Sequence, residues 1–153
     1  MRALAAKGAT LLITVDCGTT SLEPLAEARR LGQDVVVIDH HQCGDELPLT
    51  TALVNPNRLD DLSGLGQLAA VGLVFVTLVA VNRELRQRGF WTDERPEPDL
   101  LSVLHHVALG TVADVAPLTG LNRALVAKGL IALRRRDHVG HTALMDVSRL
   151  SGP

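Results

Sequence analysis

"VVVIDHHQCG", Val35 to Gly44, runs four β-branched residues into an acid, two adjacent histidines and a turn. Val35 to Ile38 show no polar alternation. Such a run fits a strand of a parallel sheet buried on both faces. Working outward, "ATLLITVD" (Ala9 to Asp16) repeats the pattern: an apolar run closed by an acid. Between the two lies "CGTTSLEPLAEARRLG", with a Thr/Ser cluster for an N-cap, Glu23 early and Gly32 at the end, the marks of a helix. Ala9 to His41 therefore reads as strand, helix, strand.

The rest extends this unit. "TALVNPN" (Thr51 to Asn57) is a third short strand ended by a proline turn, followed by a loop from Leu59 to Gly66 and a long helix from about Gln67 to Arg88. "GFWTDERPEPD" is a polar loop. "LLSVLHHVALGTVADVAPL" begins as a helix and stops near Pro117, "GLNRALVAKGLIALRRR" is an amphipathic helix with a basic end, and "HTALMDVSRL" is a last short helix. The expected fold class is α/β, three-layered, with a mostly parallel sheet flanked by helices. The chain opens on a helix-like "RALAAKG" that feeds straight into a strand. That opening suggests that one or more N-terminal strands are missing and that the chain is a fragment.

Composition narrows the function. The 153 residues are 46% hydrophobic, 21% charged and only 2% aromatic, so the core is aliphatic. A net charge of -2 argues against a uniformly basic nucleic-acid-binding surface. Two cysteines, Cys17 and Cys43, are too few for a disulfide scaffold and read as reduced thiols, small and buried. The opening is not a signal peptide. The most apolar window, Leu68 to Val81, is short for a membrane span. A soluble cytoplasmic protein is expected, with no membrane association.

In open parallel sheets, ligands bind beyond the carboxyl ends of the strands. Asp16 falls at one such end, and Asp39, His40 and His41 at the next. Asp114 closes the apolar "ALGTVAD" stretch. Carboxylates with imidazoles suit Mn²⁺, Fe²⁺ or Zn²⁺, and carboxylates alone suit Mg²⁺. Neighbouring side chains on a strand point to opposite faces. His40 and His41 are thus expected to divide the work, one as ligand and one facing substrate, unless the chain turns there.

Four segments, "ITVDCGTTS", "VVVIDHHQCGDELP", "ALVNPNR" and "VALGTVADVAPLTGLNR", together resemble the DHH phosphoesterase superfamily. The last points to its RecJ branch of single-strand-specific DNA exonucleases. The resemblance runs from about Ala6 to about Leu150 and implies a DHH-domain, Rossmann-like fold. It implies that Asp16, His40 and Asp114 ligate metal, that His41 reaches toward the scissile phosphate, and that Asp39 orients a histidine. It implies Mn²⁺ or Mg²⁺ as cofactor, two ions about 3.5–4 Å apart, and phosphodiester hydrolysis from a 5′ end of single-stranded DNA in repair and recombination. Asn122 and Arg123, just after the fourth motif, are expected substrate contacts, as is the backbone at Gly72.

The departures from the family pattern matter equally. The family's first motif, Asp-x-Asp-Gly, does not occur in these residues, nor do the later DNA-gripping domains. Residues 1–153 are thus expected to form a partial DHH domain, with little or no nuclease activity alone. Two alternatives stay open: a DHH phosphoesterase acting on short oligonucleotides or cyclic dinucleotides, and a non-catalytic remnant serving as a binding module.

Other features have plainer readings. "GLGQLAAVG" imitates a dinucleotide-binding turn but lacks the preceding strand. His105 and His106 are expected at surface or interhelix positions without a further ligand, and His138 and His141 in a loop that is not a metal site. Arg134, Arg135 and Arg136 end a helix, where cations meet the dipole favourably. Arg83, Arg86 and Arg88 are expected to be solvated.

Overall fold

The computed structural model describes residues 1–150, divided into two compact units, Met1–Val74 and Phe75 onward. The first unit holds α1 (Arg2–Ala6), β1 (Leu11–Val15), α2 (Leu22–Arg30), β2 (Asp34–Ile38) and β3 (Ala52–Val54). The strands form one parallel sheet in the order β1-β2-β3. Leu11 pairs with Asp34 through to Val15 with Ile38, and Val36 with Ala52 through to Ile38 with Val54. The expected strand–helix–strand unit is present, with α2 as the crossover.

Glu23 lies in the first turn of α2 and Arg29 and Arg30 in its last, each complementing the helix dipole. Ser21 holds the N-cap position, but its side chain makes no capping bond. Leu25 and Ala28 of α2 are wholly buried against Val35 and Val37 of β2, with Leu12, Leu53 and Met1 at the margin. Burying a side chain such as Leu25 contributes about 1.5–3 kcal/mol. The two-sided burial expected of the strands holds for β2 but not for β1. β1 is an edge strand, and its alternate residues Leu11, Ile13 and Val15 stay about half exposed. Because all three strands are parallel, Asp16, Asp39 and Asn55 follow their last residues at one common sheet edge.

α3 (Ala70–Gln87) begins in the first unit and continues into the second. There a short 3-10 turn (Leu100–Val103), capped by Asp99 accepting from the Leu101 N–H, leads into α4 (Leu104–Ala113). α5 (Gly120–Arg134) and α6 (Val139–Val147) follow. α4 buries Leu104, Val107, Ala108 and Thr111, and α5 buries Asn122, Leu125, Val126 and Gly129, spacings of three and four that make one stripe per helix. Gly129 sets how near the two helices come. A Cβ there would lie 2.3 Å from the Leu104 carbonyl oxygen and 2.5 Å from the Ala108 Cβ.

Two expectations are corrected here. α6 starts at Val139, so His141 lies on a helix and His138 is its N-cap rather than a loop residue. Those two rings meet His105 and His106, which therefore do have further imidazoles beside them. The arginines expected to be solvated are at the surface, where Arg86 and Arg88 pair with Glu97 and Glu84. Among the described residues, no helix is long and apolar enough to cross a membrane.

Gly129→Ala weighs two opposed effects. Alanine's helix propensity favours it by about 1 kcal/mol, while overpacking against a backbone carbonyl costs about 1–3 kcal/mol or more. The clash is with backbone, so the second wins, and urea unfolding followed by helical circular dichroism should show a lowered midpoint.

Candidate metal centre

β2 ends at Ile38, and the next residue organises the site. Asp39 is 2% exposed. Its Oδ2 accepts the Thr19 backbone N–H at 2.9 Å, and its Oδ1 accepts the backbone N–H groups of His40 and His41 at 2.8 and 3.3 Å. The same Oδ1 lies 2.7 Å from His41 Nδ1. Burial by itself raises the pKa of this carboxyl. The Thr19 N–H, the His41 ring and the His41 N–H together outweigh that and hold it well below the usual carboxylate range. An ionised Asp39 accepts only, so His41 carries a proton on Nδ1, and in the neutral ring Nε2 is the nitrogen left to ligate.

This local turn overrides strand pleating. By drawing both following N–H groups onto one carboxylate, Asp39 bends the chain, and the His40 and His41 rings end 4.9 Å apart, edge to face. Asn55, at the end of β3, secures the bend: its Nδ2 donates to Thr19 Oγ1 at 2.8 Å and to the His41 carbonyl at 2.9 Å. Asn57 Nδ2 donates to the His40 carbonyl at 2.5 Å. Gly18 is required in the facing loop, with φ +123°, because a Cβ there would stand 2.7 Å from Thr14 Oγ1.

Asp16 completes the cluster from the end of β1. It sits in the left-handed region at φ 64°, its N–H still on the Ile38 carbonyl, and its Oδ1 is 3.1 Å from His40 Nε2. One ligand atom from each of Asp16, His40 and His41 lies within 4.8 Å of the others. The turn at Asp39 thus brings one carboxylate and two imidazoles together, where pleating alone would send the two histidines to opposite faces. This mixed oxygen and nitrogen set fits a divalent ion of the Mn²⁺ or Zn²⁺ kind.

Each of the other expected site residues is placed within its own unit. Asp114 is exposed at the C-cap of α4, in the second unit. Arg123 is exposed on the first turn of α5. Asn122, expected to contact substrate, is instead wholly buried, and its Nδ2 donates to the Pro117 carbonyl at 3.0 Å. Gly72 is buried inside α3 with its N–H on the Ala69 carbonyl, so that donor is used within the fold. Cys17 is exposed rather than buried, and Cys43 is partly buried, its thiol pKa pushed up chiefly by burial. Thr19, Asn55 and Asn57 are supports that sequence reasoning passed over, although the last two lie in the "ALVNPNR" segment already singled out.

A parallel α/β unit that gathers a carboxylate and two imidazoles at its strand ends defines a candidate divalent-metal-binding domain. Residues 2–111 match the family model described as the DHH family, N-terminal domain, and the chain belongs to that family. It is 45% identical over 147 residues to the single-stranded-DNA-specific exonuclease RecJ of Dickeya dadantii and 43% identical over 146 residues to that of Escherichia coli. Each alignment covers 94% of this chain and 25% of the relative. The structure of RecJ in complex with Mn²⁺ from Thermus thermophilus superposes with a TM-score of 0.75 at 33% identity, covering 96% of this chain and 21% of that one. The chain thus spans about a quarter of the length of these curated relatives.

Asp39→Asn keeps the shape but turns an acceptor into a donor facing N–H groups, at a cost of about 1–3 kcal/mol. The pH dependence follows from the sign of the shift. Asp39 titrates lower in the folded state than the ~3.9 of an unfolded chain, so its contribution is complete above about pH 4 and is lost as pH falls below that. Urea unfolding should show a gap between wild type and Asp39→Asn that is constant near neutral pH and narrows progressively in acid.

Proposed function

We propose that this chain is part of the catalytic domain of a 5′-to-3′ single-stranded-DNA exonuclease of the RecJ type, using Mn²⁺ or Mg²⁺. The observation that carries the reading is the cluster of Asp16, His40 and His41 held by Asp39 at the strand ends. Its donor set fits a divalent ion. The exonuclease names of the relatives, which extend well beyond the stretch this chain covers, support the substrate class.

Each residue has a part in this reading. Asp16 and His40 bind the ion. Asp39 fixes the His41 tautomer, so that Nε2 faces outward toward an ion or a phosphate oxygen. Asp114 keeps the ligand role that its motif implies, and Arg123, a long cation on an exposed helix turn, contacts the DNA backbone. When bound, a divalent ion would supply an acidified water and neutralise charge on the phosphodiester. The buried Asn122 and Gly72 support the fold and do not touch substrate. A DNA-processing role places the protein in the cytoplasm and away from membranes.

The 153 residues contain no Asp-x-Asp-Gly segment, so this chain alone should bind Mn²⁺ but hydrolyse little. Electron paramagnetic resonance should show Mn²⁺ affinity falling by at least about tenfold in Asp16→Asn and His40→Ala, alongside an assay on 5′-phosphorylated single strands. Mn²⁺ binding indifferent to both substitutions would refute the site. Robust hydrolysis by the 153 residues would refute the reading that they are only part of a catalytic domain.

A further inference from the structure

The second unit gathers four imidazoles that the proposed nuclease chemistry does not use. His105 and His106 begin α4, and His138 and His141 begin α6. All six pairs of ring centroids are 4.2–5.2 Å apart. One ring nitrogen from each of His105, His138 and His141 lies within 4.8 Å of the others. These residues line a cleft of ≈ 810 Å³.

Packing alone leaves something unexplained. His105 and His141 are 8% and 9% exposed, and among the described residues neither His105 Nε2 nor His141 Nδ1 has a hydrogen-bond partner. An unpaired buried polar atom costs about 1–3 kcal/mol. Two of them in one imidazole cluster form a site that lacks a ligand able to accept both lone pairs.

Donor chemistry selects the ligand. Three nitrogen donors with no carboxylate among them disfavour Ca²⁺ and Mg²⁺ and suit Zn²⁺ and its neighbours Co²⁺ and Ni²⁺. The charge lining the cleft is mixed, Lys128, Arg135 and Arg136 against Asp99 and Asp137, and Arg136 is already paired with Asp146. Ligand nitrogens about 2.0–2.1 Å from a tetrahedral ion stand about 3.3 Å from one another, so the three draw in by up to about 1.5 Å. His138 is exposed and can move. Its Nδ1 contact with the His141 N–H is 3.5 Å, weak enough to yield.

We propose that His105, His138 and His141, with His106 beside them, form a binding site for a Zn²⁺-class ion that fastens the start of α6 to the start of α4. α6 is a nine-residue helix, too short to be stable by itself. Its other ties include the Arg136–Asp146 ion pair and the Thr142 hydroxyl donating to the Arg136 carbonyl. An ion bridging the two helices would act as a staple, stabilising the folded state by mass action.

The test uses the untagged chain carrying Asp16→Asn and His40→Ala, which silence the other cluster, titrated with Co²⁺ and then Zn²⁺. The expected result is one Co²⁺ with the visible bands of a four- or five-coordinate nitrogen site, displaced by Zn²⁺, with slower hydrogen exchange in α6. His138→Ala, at an exposed position that should leave folding intact, should weaken binding by at least about tenfold. No such bands, or binding unchanged by His138→Ala, overturns the proposal. So does Co²⁺ binding seen in the unsubstituted chain but absent from the Asp16→Asn/His40→Ala chain, because that assigns the ion to the first cluster. Failure of the nuclease reading leaves every one of these outcomes unchanged.

Discussion

The first unit depends on one buried carboxylate. Asp39 accepts three backbone N–H groups and an imidazole, and it comes from the residue directly after the central strand. A buried charge is costly unless it is fully hydrogen-bonded. That condition fixes the conformation of both loops that meet it: Thr19 must bring its N–H inward, and His40 and His41 must turn. The requirement that keeps the acid satisfied therefore also aims the ligands. Asn55 and Asn57 extend the same network, so side-chain amides join the ends of all three strands in addition to the backbone bonds from Asp16 N–H to Ile38 and from Asp39 N–H to Val54.

This explains which parts of the site were legible in the sequence. The strand Val35–Ile38, the crossover α2 and the placement of Asp16 and Asp39 at one edge follow from local apolar runs and from the geometry of parallel sheets. The nearness of the His40 and His41 rings did not follow. Pleating predicts opposite faces, and only the hydrogen bonds of Asp39 reverse that. Exposure of Leu11, Ile13 and Val15 was likewise hidden, since an apolar run says nothing about whether its strand lies at an edge. The burial of Asn122 and Gly72 was hidden for a related reason: a polar or small residue in a motif can be there to close a loop or begin a helix.

The two histidine pairs of the second unit show a further limit. His105 and His106 are separated from His138 and His141 by more than thirty residues, and no fixed spacing links them. Each pair taken alone has an ordinary explanation. What joins them is the close approach of α4 and α5 at Gly129 and the short turn from α5 into α6. Non-local clusters of this kind become visible only when packing is known.

Strain marks the ends of the motifs as well. Asp16 and Val115 both have positive φ, at 64° and 56°. Aspartate tolerates this conformation, but a β-branched valine does so at a cost of order 1–3 kcal/mol. At Val115 the surrounding bonds account for its persistence. The Ala116 N–H reaches back to the Thr111 carbonyl, closing α4 as a Schellman-type cap, and Asn122 holds the Pro117 carbonyl from α5. Glycine would relieve the strain but would also loosen the unfolded and folded loop alike. The segment "GTVADVAPL" is thus a device that stops α4 at Asp114 and leaves that carboxylate exposed at the helix end. Asn122 serves the same end by holding the Pro117 carbonyl, which is a physical reason for an asparagine at this buried position.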